Sequence, residues 1–214
     1  MSNAHPKPIG APTHSLSLYL IRHGQTKWSI SHQHTGRTDI PLTGEGEEEA
    51  RMLRERLRAI SFSHVLSSPM QRAQRTFALT GLPNTAEIEP DLSEWDYGDY
   101  EGERTEDIRK GRPNWKIFRD GCPNGEMPTQ VSARADRLIA RLRTLEGNVA
   151  LFSHGQFSCV LGARWIELPV MDGPHFLLGT ASLSILGYDP DHPEVPVIAL
   201  WNASPSAKSE SVTA

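Results

Sequence analysis

The stretch SLSLYLIRHG, residues 15–24, decides the fold. It alternates polar and apolar side chains, then runs apolar through Leu20 and Ile21 until charge first appears at Arg22. That pattern belongs to a buried strand with its chemistry at the carboxyl end. A second run of the same character, NVALF at 148–152, is followed by Ser153 and His154. A third, His64–Ser67, leads into Ser68 and Pro69.

Helical periods separate these strands. After Thr43, a plausible N-cap, Ala50, Leu53, Leu57 and Ile60 share one face, and Glu45, Glu47 and Glu48 sit where the helix dipole favours anions. Pro69 is expected to open a helix that stops at Gly81. From Thr129 to Leu145 an apolar stripe runs through Val131, Ala135, Leu138, Ile139, Leu142 and Leu145. A further helix is expected from Gln156 to about Glu167, before Pro169. Ser182–Gly187 and Val195–Leu200 flank the turn YDPDHPE and read as a final hairpin.

Strands alternating with helices give the expected class: an α/β chain, a three-layer α/β/α sandwich whose mostly parallel sheet carries an antiparallel edge. One domain is expected over residues 15–202, with a loop-rich insertion at 91–128. Residues 1–14, whose first four resemble a cloning scar, and residues 203–214 read as unstructured tails.

Composition narrows the function. The 214 residues are 37% hydrophobic and 22% charged, ordinary for a globular chain. Lys and Arg number 22 against 26 Asp and Glu, a net charge of −4 that gives no footprint for nucleic acid. No apolar run reaches the roughly 20 residues needed to span a bilayer, and the N-terminus lacks a signal-peptide core, so the chain reads as cytoplasmic with no membrane partner. Cys122 and Cys159 read as free thiols.

In open α/β sheets ligands bind beyond the carboxyl ends of the strands. There the sequence places Arg22, His23 and Gly24, then Ser67 and Ser68 with Arg72 one turn later, then His154 and Gly155. Two arginines and two histidines at one edge suit a phosphoryl group, because guanidinium forks match its oxygens and a neutral imidazole can attack phosphorus. Attack requires one ring nitrogen to be held as a donor, and a carbonyl in the Gly24 turn can accept that bond. The leaving oxygen needs a proton, for which the loop DLSEWDYGDYEG offers Glu94, Asp96, Asp99 and Glu101. His32 and His34 raise a metal site as a rival, but no thiolate or carboxylate spacing beside them fits zinc, so no metal or other cofactor is expected. Arg104, Lys110, Arg112 and Arg119 read as a solvated face.

The blocks LIRHGQTKW, HTGRTDIPLTGEGEEEA, LSSPMQRAQRT, SEWDYGDYEG and FSHGQ, in this order, resemble the histidine phosphatase or phosphoglycerate-mutase-like superfamily. SEWDYGDYEG and FRDGCPNGE are most similar to its fungal sedoheptulose-1,7-bisphosphatase branch. The resemblance implies His23 as phosphorylated nucleophile, Arg22, Arg72 and His154 as phosphate pocket, and Glu94 as proton donor. By the same matching Ser29, Thr35, Gly36, Ser68, Tyr97 and Gln156 line the substrate side. Three positions depart from the family pattern: Ser29 stands where many relatives carry Asn, Cys159 where many carry Arg, and Gln25 where Glu is frequent. The activity implied is metal-independent hydrolysis of a small phosphorylated metabolite, a sugar phosphate or bisphosphate. Two alternatives stay open, a phosphoglycerate mutase and a non-catalytic phosphate-binding or interaction module. The short segments after the acid loop and at the C-terminus favour hydrolysis.

Overall fold

The computed structural model describes residues 16–205. The expectations for residues 1–14 and for the end of the C-terminal tail lie outside the described residues. In chain order the elements are β1 (Ser17–Arg22), α1 (Lys27–Ser31), α2 (Gly44–Leu57), β2 (Phe62–Ser67), α3 (Gln71–Thr80) and β3 (Glu87–Ile88). Short 3-10 turns at Pro90–Leu92 and Gly98–Tyr100 lead to α4 (Thr105–Gly111), α5 (Ile117–Asp120) and α6 (Pro128–Leu142). Then follow β4 (Asn148–Ser153), α7 (Gly155–Trp165), a 3-10 turn at Val170–His175, β5 (Leu183–Tyr188) and β6 (Pro196–Ala203).

The strands form one sheet in the order β3-β2-β4-β1-β5-β6. β1, β2, β3 and β4 pair in parallel, while β5 runs antiparallel to β1 and β6 antiparallel to β5. Alternation along each central strand builds the layers. Leu18, Leu20, Val149 and Leu151 pack on one face with Phe157, Val160 and Leu161 of α7 and with the stripe of α6. Ile21, Val65, Ala150 and Phe152 pack on the other with Leu53 and Leu57 of α2 and Ala73 of α3. β4, covered on both sides, is buried from Val149 to Ser153.

Several boundaries differ from expectation, each for a local reason. Pro69 does not open a helix: α3 begins at Gln71, whose N–H donates to Asp39 Oδ1 at 2.9 Å. A cap supplied from a distant loop leaves no local sequence signal. α6 stops at Leu142 rather than Leu145, because its last turn tightens into i to i+3 bonds, Thr144 N to Arg141 O and Leu145 N to Leu142 O. Ile60 falls beyond the end of α2, yet packs against the second cluster. β6 reaches Ala203, which pairs with Leu183, one residue into the segment read as tail. α1 and the two-residue β3 lie where the sequence reading placed no element.

The 91–128 segment is loop-rich, as expected, and is anchored by Trp95, Trp115 and Phe118, all buried. No helix among the described residues is long and apolar enough to cross a membrane. Cys122 and Cys159 are both free and buried.

Candidate active site

Register brings the strand ends together. Arg22 of β1 is level with Ser153 of β4, and Ser67 of β2 with Phe152, so His23, His154 and Ser68 leave three adjacent strands side by side. The rings of His23 and His154 lie 5.2 Å apart, edge to face.

His23 Nδ1 lies 2.7 Å from Gly24 O. A carbonyl can only accept, so Nδ1 carries the proton and Nε2 presents its lone pair. Gly24 is required for this turn: its N–H donates to Thr76 Oγ1 of α3, and a Cβ there would come within 2.2 Å of Gly46 O. Burial, aided by the Arg72 and Arg22 charges, holds the His23 pKa well below its ordinary 6.5, although the Gly24 bond opposes the shift. The ring is thus neutral, with its Nε2 lone pair unprotonated.

Arg72, fully buried at the start of α3, forms the next layer. Its Nε donates to His154 Nδ1 at 3.1 Å, Nη1 to Thr38 O, and Nη2 to Thr35 O and Gly36 O. His154 must then carry its proton on Nε2, 2.7 Å from Ser68 Oγ. Burial first, then the arginines and His23, lower the His154 pKa well below 6.5. Glu101 secures the loop beneath Arg72 by accepting from Gly36 N and Thr38 N. Arg22 Nη1 donates to Leu178 O, while its buried Nε has no protein partner among the described residues. The absence of a side chain at Gly155 gives the guanidinium its place, since a Cβ would sit 3.3 Å from Arg22 Cζ.

Glu94 sits at the N-terminus of α7. Oε1 accepts from Trp95 N and Phe157 N, and Oε2 accepts from Gln156 N at 3.0 Å, which caps the helix from a distant loop. Arg134 of α6 holds the backbone of that loop, donating to Asp91 O, Ser93 O and Glu94 O and pairing with Glu126.

A cavity of about 450 Å³ opens above these groups, within the range of small-molecule sites. Arg22, His23, Glu94, Ser29, Thr35, Tyr97 and Gln156 reach its wall. Arg72, His154, Ser68 and Gly36 lie beneath it, where Ser68 holds His154 and Gly36 holds Arg72. Ser29 reaches the wall with its hydroxyl already donated to Thr26 O, in the capping box that starts α1. Gln25 points away, accepting from Thr43 Oγ1.

The sequence reading did not single out Trp28, Phe118, Phe176 or Leu178 as wall residues, nor Arg134 as a brace. Arg134 had a signal, a charge within the α6 stripe between Val131 and Ala135. His34 stacks on Tyr97 at 4.5 Å and bonds Thr105 Oγ1, and burial lowers its pKa to about 4. Among the described residues no group of three or more His, Cys, Asp and Glu side chains is placed to hold a metal.

Comparison with known proteins agrees with this geometry. The family model for the histidine phosphatase superfamily, branch 1, matches residues 18–203. The chain is 38% identical over 187 residues to an acid phosphatase of Mycobacterium tuberculosis, covering 86% of this chain and 92% of that one. It is also 38% identical over 186 residues to sedoheptulose 1,7-bisphosphatase of Saccharomyces cerevisiae, covering 71% and 68%. A solved structure of a Mycobacterium tuberculosis open reading frame product superposes with a TM-score of 0.83 at 36% identity, covering 88% of this chain and 98% of that one. With a matched family model over nearly the whole described fold and a neutral histidine at the end of β1, the chain belongs to the histidine phosphatase superfamily.

Proposed function

We propose that the protein is a metal-independent phosphomonoesterase that hydrolyses a small phosphorylated metabolite through a phosphohistidine at His23. The observation that carries this reading is the 2.7 Å contact from His23 Nδ1 to Gly24 O, which leaves Nε2 as a neutral nucleophile at the cavity floor. The Nε2 lone pair attacks phosphorus, the ester P–O bond breaks, and the leaving oxygen takes a proton from Glu94. Water then attacks the phosphohistidine, its proton returns to Glu94, and the P–N bond breaks to release phosphate. Arg22, whose side chain lines the cavity, receives a phosphoryl oxygen, and Arg72 adds its charge from below. His154, held between Arg72 Nε and Ser68 Oγ, fixes the Arg72 guanidinium under the floor. Both alternatives to hydrolysis share this floor: a mutase would return the phosphoryl group to a bound intermediate, and a binding module would leave it untransferred. The names of the acid phosphatase and the sugar bisphosphatase relatives support hydrolysis.

The test is labelling with a radioactive phosphate ester in EDTA, quenched in alkaline detergent, using wild type and His23→Ala. Wild type should show turnover and an alkali-stable, acid-labile phosphoenzyme. His23→Ala should lose both, with the rate falling on the order of 10⁴-fold or more. Turnover that persists in the variant, or that chelation abolishes, would overturn the reading.

A further inference from the structure

Positive charge in this cavity is concentrated at one point. Arg22 is the only arginine or lysine among the described residues that line it, and Arg72 lies directly beneath the same floor. Away from that floor Trp28, His34, Tyr97, Phe118, Phe176 and Leu177 alternate with His32 and with the neutral polar side chains of Gln33, Thr35, Thr105 and Gln156. His34 carries no charge near neutral pH, since burial brings its pKa to about 4, and its ring is stacked on Tyr97. The thiol of Cys159 donates to Phe176 O, and burial pushes its pKa up to about 12, so it is neutral as well. The arginines of the insertion, and Arg37 of the loop after α1, are engaged outside the cavity: Arg37 with Asp96, Arg104 with Glu106, Arg109 with Trp115 O, Arg112 with Tyr100 and Arg119 with Asp120. Leu177, 76% exposed, stands at the rim as an apolar surface that a bound ligand would cover.

We infer that the site selects phosphate monoesters whose alcohol portion carries no second anion and presents an apolar or planar face to the Trp28, Tyr97 and Phe176 wall, and that Cys159 and Phe176 exclude bisphosphates. The inference rests on the phosphatase reading and narrows its substrate. One phosphate meets Arg22 at the floor. A second phosphate on the same molecule would be desolvated against aromatic rings with no guanidinium to receive it. An aryl or alkyl group there gains by leaving water and by stacking.

The experiment measures kcat/KM in EDTA for phenyl phosphate, glucose 6-phosphate and glucose 1,6-bisphosphate. Phenyl phosphate should rank first, and the bisphosphate should fall at least about tenfold below the sugar monophosphate, the size of one missing charge-assisted hydrogen bond. Cys159→Arg should narrow or reverse the last gap, and Phe176→Ala should raise KM for phenyl phosphate more than it lowers kcat. Should Cys159→Arg fail to fold, the wild-type ranking alone decides. Equal or faster turnover of the bisphosphate by wild type overturns the inference while leaving the phosphatase reading intact. If no ester is turned over, the phosphatase reading fails, and the ranking is taken from calorimetric binding of the same three esters to wild type. Tighter binding of the bisphosphate would then overturn the inference.

Discussion

Gly155 shows how one missing Cβ makes room for a guanidinium. Its position at the start of α7 places backbone within van der Waals reach of the Arg22 guanidinium, and a methyl group there would lie 3.3 Å from both Cζ and Nε. Gly155→Ala should therefore push Arg22 away from its bond to Leu178 O and shift its guanidinium relative to the cavity. Alanine also favours a helix over glycine by up to about 1 kcal/mol, so stability should hold or rise while kcat/KM falls roughly tenfold. Thermal melts and initial rates on one preparation check both halves. A variant that keeps full activity would show that Arg22 does not depend on this close approach.

The two helices that begin beside Arg72 and His154 share a design at the level of elements. α3, which holds Arg72, has its first N–H capped by Asp39, and α7, which follows His154, is capped by Glu94. Neither cap lies within its helix's own stretch of sequence, and this explains what was legible and what was not. Strand ends at Arg22 and His154 could be read because burial and charge alternate over a few neighbouring residues. The start of α3 could not, since its capping partner is 32 residues away, and Pro69 offered a misleading local signal. The cavity wall around Phe176 and Leu178 was likewise hidden, because the turn at Val170–His175 has no period of its own and is placed by packing on α5, α6 and α7. Arg134 is the element-scale brace for the acid loop. Replacing it with Met keeps the volume but leaves Glu126 without its cation and three loop carbonyls without a donor. The expected loss is about 3 kcal/mol in urea denaturation, as for a partly buried ion pair broken on one side. Activity of the folded fraction should drop as well, since Glu94 is no longer held; unchanged kcat would confine Arg134 to stability.

For the whole molecule, the same burial that keeps the imidazoles neutral makes stability depend on pH. His23 and His154 have pKa values held well below 6.5, chiefly by burial and then by the neighbouring arginines, and burial alone takes His34 to about 4. Below pH 6.5 the unfolded chain takes up protons at these positions that the native chain refuses, so unfolding is favoured progressively as pH falls. Stability from these groups is fully present above pH 6.5 and is lost on the way down to each folded pKa. His34 alone accounts for at most about 3 kcal/mol between pH 6.5 and 4. Asp120, held at about 2 mainly by its bond from Arg119, adds a loss of the same sign only once pH passes below the usual carboxylate range. Urea midpoints measured from pH 8 to 4.5 should therefore be flat at first and decline from near 6.5, a window separate from that of the carboxylates. His34→Phe retains a planar ring over Tyr97 and removes one titrating group, so the decline should become shallower by about one proton's worth, about 1.4 kcal/mol per pH unit at full effect. Midpoints that stay level down to pH 4.5 would mean that the buried imidazoles accept protons in the folded chain, and the neutral nucleophile at His23 would fall with them.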